Sequence, residues 1–166
     1  MSDQKFYISD EEAGKLSIVL IQPDIPQNTG NIARLCRATG SELVLVRPFG
    51  FRLTDQGLQR AGMDYWKELN PTILEDVDEF FEWAEKKNVY FLSCHGDNLY
   101  TEVKYKAGDA LVFGSESSGL PKEVLEWAKK RNAIVTLPMI KEARCINVSS
   151  SVAAAVYEAL RQIYHW

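Results

Sequence analysis

The sequence FGSESSGLP, residues 113–121, follows a short apolar run with a turn rich in glycine and serine. Two further segments also place loop-forming residues just after a short apolar run, LPM at 137–139 and RCINVSSSVAAAVYEAL from residue 144. Loops that follow the strands of an open parallel sheet form its ligand crevice. Three such turns in one small chain therefore predict one composite pocket.

Apolar runs of strand length alternate with helical segments along the chain. The predicted strands are apolar on both faces, which is typical of a parallel sheet covered by helices on both sides. The pattern thus predicts a single α/β domain with a mostly parallel sheet at residues 16–166, preceded by a polar extension at residues 1–15. The predicted strands are LSIVLI (16–21), LVLV (43–46), VYFLS (89–93), ALVFG (110–114) and AIVTLP (133–138).

Apolar residues at helical spacing predict the helices between these strands. Asn28 and Thr29 are candidates to cap the first helix, and Gly40 is placed to end it. The other predicted helices are a short one around TDQGLQRAG, an acidic one at ILEDVDEFFEWAEKK (73–87), one that starts at Pro121 and one from about Asn147 to Tyr164.

The composition argues against a membrane protein, a secreted protein and a metal-binding protein. No stretch approaches the roughly 20 apolar residues of a membrane helix, and the polar start lacks the apolar centre of a secretory signal, so we expect a cytoplasmic protein. Three cysteines without a C-x-x-C pair and two distant histidines indicate neither a disulfide framework nor a bound metal.

The charge distribution leaves room for a nucleic-acid partner despite a net charge of -4. The excess acid lies mostly in one block, residues 71–130. Arginine is absent from residues 61–130 and occurs both before and after them, so the two ends of the chain can form a basic surface. PQNTGNIAR at 26–34 lies at a strand-to-helix junction that attracts anions, but it is neither a P-loop nor a G-x-G-x-x-G motif.

Three segments together resemble motifs 1, 2 and 3 of the SPOUT-class RNA 2'-O-methyltransferases, SpoU branch. They are NTGNIARLCRATG (28–40), LVFGSESSGLP (111–121) and LPMIKEARCINVSSSVAAAVYEALRQ (137–162). With IPQNTGNIARLCRATG and RAGMDYW, the chain is similar to the small single-domain enzymes that methylate the ribose of the wobble nucleotide, cytidine or modified uridine at position 34 of tRNA. The resemblance covers about residues 16–164.

The resemblance implies a deep C-terminal trefoil knot, a homodimer, S-adenosylmethionine as methyl donor and the tRNA anticodon stem-loop as substrate. A side chain at Gly114 is expected to obstruct the cofactor. At Cys145 the chain departs from the serine that is common in the family. The implied cofactor-binding residues are Leu92, Ser93, Gly114, Ser115, Glu116, Leu137, Met139, Cys145 and Asn147.

The resemblance also implies Arg34 and Asn28 as catalytic residues that meet cofactor and RNA across the dimer interface. Because arginine is nearly always protonated, we expect Arg34 to bind a phosphate and stabilise the developing alkoxide, which leaves the proton acceptor open. Arg34, Arg60 and Arg144 are the predicted RNA-binding residues. The alternatives are a catalytically inactive RNA-binding module and an enzyme that methylates another tRNA or rRNA site.

Overall fold

The computed structural model describes residues 6–9, 16–54 and 56–166. Most of the predicted N-terminal extension, 1–5 and 10–15, and hence the predicted domain boundary, lies outside the described residues. Within the short described part of that extension, Ile8 packs against the core.

A seven-stranded sheet forms the centre of the fold, in the order β3-β2-β1-β6-β4-β7-β5. Each of its six strand pairings is parallel, which confirms the predicted sheet. The sequence pattern missed β3 and β5, because strands of three and two residues are too short to show a period. The strands are β1 (Ser17–Ile21), β2 (Glu42–Val46), β3 (Thr72–Leu74), β4 (Val89–Leu92), β5 (Asn98–Leu99), β6 (Ala110–Phe113) and β7 (Ile134–Thr136).

Six α-helices are seen in the described residues, with a 3₁₀ turn at Met63–Tyr65 between the second and the third. Gly40 ends the first helix in the left-handed conformation at φ 67°, as predicted. None of the described helices is both long and apolar enough to span a membrane. The helices are α1 (Pro26–Thr39), α2 (Gln56–Gly62), α3 (Trp66–Leu69), α4 (Val77–Ala84), α5 (Lys122–Lys130) and α6 (Val148–Tyr164).

Three predicted helix starts were wrong. Pro121 was expected at the first helical position, but it is the N-cap residue of α5, which begins at Lys122. Helix α1 begins at Pro26, a residue whose fixed φ suits a first helical position, so Asn28 and Thr29 lie in the first turn instead of capping it. The acidic helix was predicted from residue 73, but α4 begins after Asp76, whose carboxylate accepts a hydrogen bond from the Glu79 backbone at 2.9 Å.

Helices cover both faces of the sheet, as the apolar strands predicted. The alternation along β1 shows this directly. Ile18 and Leu20 pack in the core cluster that contains residues of α1 and α6. Val19 and Ile21 pack in a second cluster with residues of α4 and α5. Because the strands are parallel, the loops after β1, β6, β4 and β7 lie together at one edge of the sheet.

Candidate functional site

A cavity of about 540 Å³ opens at this edge of the sheet. Its walls come from the loops after β6, β4 and β7, from the first residues of α6, and from Ile25 and Asn28 at the start of α1. Its volume lies in the range of pockets that bind small molecules and cofactors. The three turns that the sequence predicted to form one composite pocket therefore do so.

All the residues predicted to bind the cofactor line this cavity, and so does Asn28. Their role in binding stays a prediction. The sequence analysis missed neighbours that also line it, including Ser117, Ser118 and Thr136. Their position inside or beside the three motifs was the available signal.

Gly114 is required by the loop itself. The loop doubles back through a bridge in which Ser115 and Gly119 exchange backbone hydrogen bonds of 3.1 and 2.9 Å. A Cβ atom on Gly114 would lie 2.2 Å from the Gly119 carbonyl carbon and 2.3 Å from the Leu120 nitrogen. No such contact is sterically possible without moving the backbone, so the expected clash with a cofactor is not needed to explain this glycine.

The side chain of Glu116 joins this loop to the start of α1. Its carboxylate accepts hydrogen bonds from the Asp24 nitrogen at 2.7 Å, the Ile25 nitrogen at 3.3 Å and the Asn28 Nδ2 at 3.2 Å. Asp24 also accepts hydrogen bonds from the backbone nitrogen and the hydroxyl of Ser117. The free N–H groups at a helix start attract negative charge, so Glu116 stabilises the position of α1.

Asn28 extends this connection to α6. Its Oδ1 accepts a hydrogen bond from Asn147 Nδ2 at 3.2 Å. Asn147 in turn caps α6, because its Oδ1 accepts hydrogen bonds from the backbone nitrogens of Ser149 and Ser150 at 2.9 and 3.3 Å. Glu116, Asn28 and Asn147 thus form one chain of hydrogen bonds that connects all three sequence motifs.

The opposite wall of the cavity is fixed by a hydrogen bond between neighbouring strand ends. The hydroxyl of Thr136 donates to the Ser93 carbonyl at 2.6 Å, and the Ser93 nitrogen donates to the Val135 carbonyl at 3.0 Å. These bonds hold the loops after β4 and β7 side by side.

Two of the three cysteines lie at the cavity. Cys94 and Cys145 are exposed and line it, whereas Cys36 is buried in the core. Burial raises the pKa of the Cys36 thiol far above its usual range. Nowhere in residues 6–9, 16–54 and 56–166 do three or more histidine, cysteine, aspartate or glutamate residues cluster as metal ligands would.

The eight arginines divide into two groups. Arg37, Arg47, Arg131 and Arg161 form ion pairs with Glu68, Glu75, Glu85 and Glu158 at 2.8, 3.6, 2.7 and 2.9 Å. Within the described part of the chain, the other four are exposed and make no ion pair; they are Arg34, Arg52, Arg60 and Arg144.

Three members of the unpaired group, Arg34, Arg60 and Arg144, are the residues predicted to bind RNA. None of them lines the cavity. The Arg34 guanidinium instead lies 5.9 Å from the centre of the Tyr65 ring. Arg52, the fourth unpaired arginine, is not among the predicted RNA-binding residues.

The arrangement of motifs around one cavity can be compared with known proteins. A model of the SpoU rRNA Methylase family matches residues 15–157. The chain belongs to the SpoU family. This confirms the resemblance that the three sequence motifs indicated.

Members of the SpoU family resemble the chain over most of its length. It is 40% identical over 148 residues to the tRNA (cytidine(34)-2'-O)-methyltransferase of Escherichia coli strain K12, which covers 89% of this chain and 94% of that protein. A solved structure described as "Structural insights into the 2-OH methylation of C/U34 on tRNA" matches with a TM-score of 0.84 at 39% identity, over 91% of this chain and 97% of that one.

A more distant SpoU structure contains a cofactor. The SpoU methyltransferase AviRb from Streptomyces viridochromogenes, in complex with AdoMet, matches with a TM-score of 0.78 at 22% identity, over 93% of this chain and 61% of that one. At this identity the match shows the common fold.

Proposed function

We propose that the protein transfers a methyl group from S-adenosylmethionine to the ribose 2'-hydroxyl of nucleotide 34 of tRNA, a cytidine or a modified uridine. The observation that carries the proposal is the hydrogen-bonded chain Glu116–Asn28–Asn147, which joins the three family motifs around one cavity. The identity to the Escherichia coli enzyme over 89% of the chain supports the choice of nucleotide. A reaction on tRNA agrees with the cytoplasmic location expected from the sequence.

The residues around the cavity fit S-adenosylmethionine. Apolar side chains, among them Leu92 and Leu137, can cover its adenine ring, while Ser115 and the backbone of the neighbouring loops offer hydrogen-bonding groups. The bound cofactor supplies a methyl group on a positively charged sulfur. Loops held together by Glu116 and Thr136 can present this group without rearranging, which favours transfer.

We also propose that the segment from Leu137 to Asn147 passes through the chain as a deep trefoil knot, as the family resemblance implies. The sheet order supports this threading. Strand β7 follows β6 in the chain but lies beside β4, on the side of β4 away from β6. The chain then returns to α1, where the side chain of Asn147 is hydrogen-bonded to that of Asn28.

The position of Arg34 supports a homodimer. Arg34 lies outside the cavity of its own subunit, so we propose that Arg34 of the partner subunit reaches the reacting ribose. Apolar side chains beside the cavity offer a surface for such contact: Ile140 is 74% exposed and Ile146 39%. Tyr157 of α6 is 48% exposed.

Arg34 then has a defined task. A ribose hydroxyl is a poor nucleophile, and its alkoxide needs positive charge nearby. Arginine side chains are cations at neutral pH, and Arg34 makes no ion pair with a described residue, so it can bind the phosphate beside the target and stabilise the alkoxide as it forms.

The test is methyl transfer itself. The protein is incubated with labelled S-adenosylmethionine and total tRNA from a strain that lacks the activity, and the labelled nucleotide is mapped. We expect label on the ribose of nucleotide 34, and strongly reduced label with Arg34→Ala. Cofactor binding without transfer would support the RNA-binding module, and label at another nucleotide would support a different methylation site.

A further inference from the structure

The turn between β2 and α2 lies beside the cavity without lining it. Strand β2 pairs with β1 in parallel, so the loops after both strands share one edge of the sheet. The Gly50 nitrogen donates to the Pro23 carbonyl at 2.9 Å, and a Cβ on Gly50 would lie 2.9 Å from the Asp24 Cα. Asp24 is hydrogen-bonded to Glu116 and Ser117, so the turn packs against the segment that supports the cavity wall.

This turn carries two stacked aromatic rings. The ring centres of Phe49 and Phe51 lie 5.7 Å apart with an angle of 15° between their planes, and the Arg47 guanidinium lies 4.9 Å from the centre of Phe49. Phe49 packs against the core, whereas Phe51 belongs to neither core cluster of the described residues and is half-exposed. Phe51 therefore stacks on a ring held by the core without packing against the core itself.

Three arginines without an ion pair to a described residue lie in this turn and in the helices before and after it. Arg52 follows Phe51 directly, is exposed and makes no ion pair with a described residue. Arg34 and Arg60, also unpaired, lie on α1 and α2, which pack against each other. Aromatic rings combined with unpaired cations are the means by which proteins hold single-stranded nucleic acid, because rings stack on bases and cations bind phosphates.

We propose that Phe51 stacks on a base of the anticodon loop adjacent to the methylated nucleotide, and that Arg52 binds a phosphate beside that base. The inference rests on the proposed function, which makes a single-stranded loop the substrate. A target ribose can enter the cavity only if its nucleotide leaves the loop stack, and the neighbouring base then loses a stacking partner that Phe51 replaces. The carboxyl ends of β2 and β6, on either side of β1, are about 10 Å apart, so one RNA segment can reach both sites.

The experiment measures affinity and stacking together. An anticodon stem-loop RNA carries 2-aminopurine, whose fluorescence falls on stacking, at the nucleotide before or after position 34, and is titrated with protein in the presence of S-adenosylhomocysteine. We expect Phe51→Ala to raise the Kd about 5- to 100-fold. With 2-aminopurine at one of the two positions, its complex should also be more fluorescent than the wild-type complex, because the base then lacks a stacking partner. Phe51→Trp is expected to keep the wild-type Kd and the wild-type fluorescence of the complex.

Two further variants separate stacking from folding and from charge. Phe51→Leu keeps an apolar side chain without an aromatic ring, so it should fold like the wild type and bind as weakly as Phe51→Ala. Arg52→Gln should weaken binding and reduce the slope of log Kd against log salt concentration by about 1.

Phe81 provides a matched control. Its ring stacks on Trp127 with a similar geometry, 5.6 Å between centres and 24° between planes, and it does not line the cavity. Phe81→Ala is therefore expected to lower stability and leave the Kd for the stem-loop unchanged.

The inference is overturned if Phe51→Ala and Phe51→Leu bind and quench like the wild type. It is also overturned if they lose the same affinity for a fully paired RNA of equal length. Failure of the proposed function is a separate result, since it would appear as wild-type protein that does not methylate nucleotide 34.

Discussion

The Glu116 carboxylate accepts a hydrogen bond of 3.2 Å from the Asn28 side chain, 88 positions earlier in the chain. It also accepts hydrogen bonds from the backbone nitrogens of Asp24 and Ile25. The family resemblance implied that Glu116 binds the cofactor. Its observed contacts are with the protein, so it acts at least as the support that keeps α1 beside the cavity.

Replacing Glu116 should therefore affect folding as well as cofactor binding. Glu116→Ala leaves three N–H donors without their acceptor and is expected to lower the free energy of unfolding by about 2 kcal/mol, measured in urea. Glu116→Gln retains one acceptor oxygen and should lose less. Glu126, an exposed acid of α5, is the control, and its alanine variant should change stability by less than about 0.5 kcal/mol. Equal stabilities of the alanine variants at 116 and 126 would contradict this role.

Gly114→Ala should be among the most damaging single changes. The added Cβ would meet the backbone of Gly119 at 2.2 Å, so the loop must open, and we expect a loss of more than about 3 kcal/mol in stability together with loss of cofactor binding by calorimetry. Gly108 is the control. It has φ +92° but open space around its Cβ position, so Gly108→Ala should reduce stability by about 1 kcal/mol and leave cofactor affinity intact. Normal cofactor affinity in Gly114→Ala would argue against the cavity as the binding site.

Thiol labelling tests the location of the cofactor. Iodoacetamide at pH 8 should modify Cys94 and Cys145, which are exposed at the cavity, but not Cys36, because burial keeps its thiol protonated and inaccessible. Saturating S-adenosylhomocysteine should slow labelling of both exposed cysteines at least about 10-fold, as followed by mass spectrometry. Single serine variants identify each labelled site. Labelling that is unaffected by the ligand would place the ligand elsewhere.

Mixing of subunits tests whether Arg34 acts across a dimer. Arg34→Ala and Asn147→Ala proteins are each expected to have little activity. If the site combines Asn147 of one subunit with Arg34 of the partner subunit, random exchange of equal amounts should restore about a quarter of the wild-type activity, since half of the dimers then contain one complete site. Absence of recovery, with exchange confirmed by native mass spectrometry, would show that both residues act within one subunit.

The sequence predicted the fold where the apolar pattern was long enough to show a period. Strands β1, β2, β4, β6 and β7 and the limits of α6 follow from such patterns. The start of α1 did not, because Asn28 looks like a cap and its side chain is instead bonded to Glu116 and Asn147. Those partners are distant in sequence, and no local pattern reveals them.

The same limit applied to the site. The turns were recognisable as walls of one pocket, because parallel strands bring their carboxyl ends together. The sequence did not reveal which arginines form ion pairs, because acids such as Glu68 and Glu75 reach Arg37 and Arg47 only in the folded chain. The requirement for Gly114 likewise depends on how closely the loop folds back on Gly119.

The sheet order also determines which strand pairs can form early while the chain is being synthesised. Ile18 pairs on one side with Leu43 and on the other with Leu111, so β1 gains its first neighbour early and must wait for its second until most of the chain has left the ribosome. Until then one edge of β1 remains unpaired. Contacts between such distant segments slow folding. Pairing of β1 with β6, the central strand of the sheet, is therefore expected to be a late step in folding.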